Sequence, residues 1–160
     1  EAIIWRGPMV HNAINQFLQT TVWGDLDYLV VDLPPGTSDA PLTVMQVLSL
    51  DGFVVVATPQ DLARLDAKRS INMIRNMKLS VLGVVENFSG EMFGTGAAEE
   101  MAREMGLNFL GRLELRPEYR DTSKPTVLLS PVVAAEYERI AEALEPALAV
   151  ANASSQGATT

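Results

Sequence analysis

Cysteine is absent from this chain. Without thiols there is no disulfide to staple the fold and no thiolate to hold a metal, and the absence suits a reducing cytosol. Histidine occurs once, at His11, which reads as a solvated helix residue rather than a metal ligand. No apolar run approaches the roughly eighteen residues that a membrane span requires. No signal peptide is visible, and position 1 is Glu rather than Met, so the N-terminus reads as processed or truncated. Positive charge is in deficit. Twelve Lys and Arg face twenty Asp and Glu, leaving a net charge of −8 and a pI near 4.6, which argues against nucleic acid as a main partner.

What is present is apolar bulk: 48 % of 160 residues, enough for one domain with a sizeable core. The chain is organised around Asp27–Asp39. There Tyr28, Leu29, Val30 and Val31 run without polar alternation, as in a strand covered on both faces. The run stops at Asp32, and Pro34-Pro35 opens onto Gly36. A carboxylate at the C-terminal end of a buried strand stands where ligands bind in open α/β sheets. In a nucleotide-hydrolysing site such an aspartate holds Mg²⁺, usually through water, and a nearby glycine N–H meets a terminal phosphate. Four apolar residues and an Asp also suit an ordinary strand and tight turn.

Ahead of this stretch, Gly7 and Pro8 suit the start of a helix carrying Val10, Ala13, Ile14, Phe17 and Leu18 at helical spacing. After it, Ser38 or Asp39 caps a helix through about Ser49. Phe53–Ala57 reads as a second buried strand, and Thr58-Pro59-Gln60-Asp61 as the start of a helix to about Met77. The basic residues of that helix (Arg64, Lys68, Arg69, Arg75 and Lys78) suit a solvated face, or else a partner surface. Val81–Val85 is a third buried strand ending in Glu86-Asn87. Gly94-Thr95-Gly96 leads into a helix to Met105, as a helix entry rather than a phosphate cradle. Asn108–Leu113 is a short fourth strand. Ser130-Pro131 opens a last helix to about Val150, with a kink or break expected at Pro146. That helix is acidic and lacks the basic face of a membrane-surface helix. Residues 151–160 are small and polar, expected as a disordered tail. Short strands alternating with helices, without hairpin signals, predict an α/β domain over 1–150 with a mostly parallel, doubly wound sheet and right-handed crossovers.

Leu33 to Gly36 with Thr37, Asp39 and Leu42-Thr43 resembles the Walker B and switch segment of the Mrp/ApbC family, MinD-like P-loop ATPases regarded as iron–sulfur cluster carriers. Trp5-Arg6-Gly7-Pro8-Met9, Thr58-Pro59-Gln60-Asp61 with Asp66-Ala67-Lys68, Leu82–Ser89 and Phe93–Gly96 follow in the family's order. The resemblance spans roughly Ile3 to Leu144. It implies a cytoplasmic, homodimeric ATPase that uses ATP and Mg²⁺ and serves iron–sulfur acceptor or scaffold proteins. By the same resemblance Asp32 serves the magnesium site, through water, and Gly36 senses the γ-phosphate. Asn87 bonds the adenine edge, and the loop Glu114–Arg120, with Pro117 in it, lies against the base.

Three departures accompany the resemblance. The family's lysine-bearing glycine loop, which supplies N–H groups and a cation for phosphates, has no counterpart here. The chain therefore reads as the C-terminal part of a longer protein, its sheet incomplete at the N-terminus, with poor ATP binding and self-association expected of it alone. The family's Cys-x-x-Cys would fall between Ser89 and Phe93, where Gly90-Glu91-Met92 stand. Glu114 and Arg116 replace the family's usual Pro and Asp. Two other functions stay open: a binding module with the same fold but neither cluster nor turnover, and a MinD/ParA-like positioning ATPase.

Overall fold

Two β-branched runs, Phe53–Ala57 and Val81–Val85, build the centre of the sheet, because Val packs well on a pleated surface covered by helices. In the computed structural model, residues 7–33 and 39–156 are described. The chain divides into two compact units, residues 1–50 and 51–160.

The first unit pairs α1 (Gly7–Thr20) with α2 (Asp39–Val47). His11 is half-buried, its Nδ1 3.3 Å from Thr43 Oγ1, so it is a contact between the helices rather than the solvated residue expected. Tyr28–Val31, expected as a covered strand, forms no strand; Val30 is 90 % exposed. The physical reason is pairing. Among its described residues this unit has no strand for the segment to ladder with, and a lone strand leaves its N–H and C=O groups to water.

The second unit holds a parallel three-stranded sheet in the order β1 (Phe53–Ala57), β2 (Val81–Ser89), β3 (Phe109–Glu114). Both crossovers are helical: α3 (Asp61–Asn76) joins β1 to β2, and α4 (Ala97–Glu104) joins β2 to β3. These two cover one face, burying Val55, Val84, Ile71, Ala98 and Met101. The other face belongs to α5 (Pro131–Gln156), whose Ile140, Ala143 and Leu144 pack on Val85, Leu110 and Leu113. Helices on both faces of a parallel sheet are the doubly wound plan that the alternating pattern predicts.

β1 corrects one expectation. Its apolar run reads as covered on both sides, yet Val54 and Val56 are 38 % and 58 % exposed. These two share the face of Val85, and α5 packs on β2 and β3. Among the described residues, the edge of β1 away from β2 carries no strand.

Three further details depart from the sequence reading. α3 begins at Asp61, because the Thr58 hydroxyl donates to the Gln60 side chain instead of serving as cap, and Gln60 takes the N-cap place. The basic face of α3 is largely spent on neighbouring groups. Lys68 pairs with Glu104 at 2.7 Å, Arg64 approaches Glu100 at 3.7 Å, and Arg75 donates to the Met105 carbonyl. α5 continues through Pro146 to Gln156, so the expected tail is helical as far as Gln156. The Ala-rich sequence there is a strong helix former, and Ala151 is buried.

Candidate functional site

The C-terminal ends of β2 and β3 lie side by side, Ser89 in register with Glu114. The Leu115 N–H donates to the Ser89 carbonyl at 2.9 Å. Ligands in open α/β folds bind outside this end of the strands. Glu86 organises it. Fully buried, its carboxylate accepts from Ser89 Oγ (3.0 Å), from the Gly96 N–H (2.8 Å) and from the Ala98 N–H (2.9 Å). A buried carboxylate is tolerable only with such donors. Two of them are orphan amides at the start of α4, where negative charge is also favoured by the helix dipole.

Beyond Glu86 the backbone turns sharply. Phe88 holds φ at 57°, a conformation rare for an aromatic residue, and its N–H donates to Asn87 Oδ1 at 2.9 Å. Asn87 is thereby fixed at the end of β2, half-buried. Gly90 and Gly94 then close a small antiparallel loop through two mutual N–H···O bonds of 3.0 and 2.8 Å. Its tip is Glu91-Met92-Phe93, with Met92 exposed.

The segment after β3 carries two short 3₁₀ turns, Pro117–Arg120 and Thr126–Leu128. Arg116, just ahead of the first, lies 2.8 Å from Glu114 and 2.6 Å from Glu136 of α5. Its guanidinium is held more firmly charged than usual, chiefly by the hydrogen bond to Glu136. Tyr119 sits in the turn, its phenol pushed upward mainly by burial, with Tyr137 and Glu136 close by.

The sequence-predicted site residues fall into two groups. Asn87 and Pro117 belong to the same strand-end region of the second unit. Asp32 belongs to the first unit, exposed and in irregular chain rather than at the end of a buried strand. Gly36 lies outside the described residues. No group of three or more His, Cys, Asp or Glu residues able to hold a metal occurs among the described residues. One accessible carboxylate at Asp32 fits Mg²⁺, which keeps most of its water and phosphate ligands and takes one or two carboxylates. Sequence reasoning missed Glu86 and the Arg116–Glu136 pair. A Glu closing an apolar strand run is a usable signal for the first. Nothing in a run of four helical glutamates singles out Glu136.

The chain is similar to known proteins along most of its length. Residues 1–147 match the family described as ParA, NUBPL iron-transfer P-loop NTPase. An iron–sulfur cluster carrier protein of Methanocaldococcus jannaschii is 42 % identical over 152 residues, covering 86 % of this chain and 52 % of that protein. The iron–sulfur cluster transfer protein NUBPL of Dictyostelium discoideum is 44 % identical over 144 residues, covering 82 % and 45 %. Among solved structures, a nucleotide-binding protein of Archaeoglobus fulgidus in complex with ADP matches with a TM-score of 0.61 and 39 % identity, covering 69 % of this chain and 49 % of that one. The chain thus spans about half the length of the curated relatives it matches.

Proposed function

This chain belongs to the NUBPL iron-transfer P-loop NTPase family, and we propose that the natural polypeptide carrying it binds and hydrolyses ATP in iron–sulfur cluster assembly or transfer. The observation that carries the reading is the strand-end region, where Asn87 and the Pro117–Arg120 turn flank the place an α/β sheet offers a ligand. Asn87 presents its amide to the base, with Oδ1 already engaged by the Phe88 N–H. Pro117 and its turn lie against the other side of the base. Asp32 serves Mg²⁺ through water, and Gly36 offers its N–H to the γ-phosphate. Magnesium, when bound, neutralises charge developing on the phosphates. The working form is a homodimer, and the partners are iron–sulfur scaffold and acceptor proteins.

The cluster is cargo. Residues of this chain supply no thiolate for it. One observation favours a second reading, a binding module of the same fold with neither cluster nor turnover: Gly90-Glu91-Met92 between Ser89 and Phe93 offers no thiolate.

Asp32→Asn in the natural polypeptide tests the first reading. Removing one formal charge from the magnesium site should lower kcat for ATP about a hundredfold or more, each ~1.4 kcal/mol being a factor of ten. The melting temperature should hold, because Asp32 is exposed. A near-parental kcat overturns the assignment.

A further inference from the structure

Arg116 ties the segment leaving β3 to α5 through a single atom. Its Nη2 lies 2.6 Å from Glu136 Oε1 and 2.8 Å from Glu114 Oε2. Glu136 is only 5 % exposed. Two buried atoms of this pair have no hydrogen-bond partner: Arg116 Nε and Glu136 Oε2. Each forgoes hydration without return, and such atoms call for an explanation.

Stability alone does not supply one. Replacing a buried ion pair by well-packed apolar residues is often neutral or stabilising, whereas removing one partner is costly. What an ion pair adds is direction, since a planar guanidinium accepts few geometries. The Pro117–Arg120 turn needs direction from outside itself. It contributes no buried residue and has no side-chain cap. Its start is fixed by the bond from Leu115 to Ser89, two residues past Asn87, and the next side chain along is Arg116.

We infer that Arg116 and Glu136 are positioning residues: their pair holds the Pro117–Arg120 turn against α5 and so fixes the base-facing side of the nucleotide site. The inference rests on the nucleotide reading above. It deepens that reading by assigning the base side of the site to a tie that the phosphate side does not share.

The test uses the natural polypeptide carrying this chain, titrated calorimetrically with ATP or inorganic tripolyphosphate, each with Mg²⁺. In the double variant Arg116→Met/Glu136→Met both charges go together, so the melting temperature should stay close to the parent's. The Kd for ATP should rise about tenfold or more while that for tripolyphosphate stays within about twofold. Glu136→Gln keeps the shape of the side chain and leaves Arg116 paired with Glu114; it should show the same asymmetry to a smaller degree, and it decides the matter if the double variant does not fold. Equal weakening toward both ligands, or no change toward either, overturns the positioning role. A parent that binds neither ligand overturns the nucleotide reading, and this inference with it.

Discussion

A Cβ placed on Gly111 would lie 2.7 Å from Cγ1 of Ile140, so β3 and α5 touch through the space of a missing side chain. Gly111 also holds φ at 147°, which L-residues avoid. Gly111→Ala should therefore destabilise the chain by about 2–4 kcal/mol, from overpacking and backbone strain together. Urea unfolding would show a lower midpoint at unchanged m. Adding Ile140→Val, which keeps Cγ1 and removes only the Cδ1 that lies 3.6 Å away, should recover little of the loss.

Glu86→Gln should be costly although it changes few atoms. Glutamine places an NH₂ where the Glu86 carboxylate accepts from Ser89, Gly96 or Ala98. One donor must then face another inside a buried site. A loss of about 2–3 kcal/mol follows from charge-assisted bonds of this kind. Denaturant midpoints measure it, and a change under about 0.5 kcal/mol, the range of ordinary surface substitutions, would refute the keystone role.

The acid limb of stability should carry a contribution from Lys68. Its hydrogen bond and charge, the leading causes, hold the Glu104 carboxyl below its ordinary value of 4.5, with Arg64 and Arg103 assisting. A folded-state value below the unfolded one adds stability above the unfolded value and loses it as pH falls through the folded one. Lys68→Met should therefore be less stable than the parent at neutral pH. The difference should close as pH drops below about 4.5, and because the pair is exposed it should be small throughout. Urea midpoints across that range check the sign.

Anaerobic reconstitution of residues 1–160 with iron and sulfide should leave no stoichiometric cluster. The chain offers carboxylates and one half-buried histidine, poor ligands for an iron–sulfur core. Iron counting and visible absorption decide it; one cluster per chain would overturn the ligand argument.

Elements whose signals are local were legible in the sequence. The β-branched runs at Phe53–Ala57 and Val81–Val85 are strands, and α4 ends where Gly106 at φ 64° closes it. Apolar periodicity reports that a strand is apolar, not what covers it. Tyr28–Val31 and Val54 with Val56 look alike on the page, yet the first is not a strand and the second pair faces out. Both outcomes depend on neighbours in space: a ladder partner for one, the reach of α5 for the other. The site divides the same way. Asn87 and Pro117 are proposed from the family resemblance. Glu136 becomes special only through Arg116, twenty residues earlier in the chain.

Among the described residues the edge of β1 away from β2 carries no strand, which makes concentration a structural variable. Phe53-Val54-Val55-Val56-Ala57 holds no charge, proline or glycine to discourage a further strand from adding. Proteins that keep such edges usually station a lysine or a proline on them as a gatekeeper, and this one has neither between Phe53 and Ala57, its one irregularity being the register shift against β2 between Phe53 and Val54. Stored concentrated, the isolated chain should seed cross-β growth from this pentapeptide. A lysine at Val54, already half in water, is the cheapest way to keep it in solution.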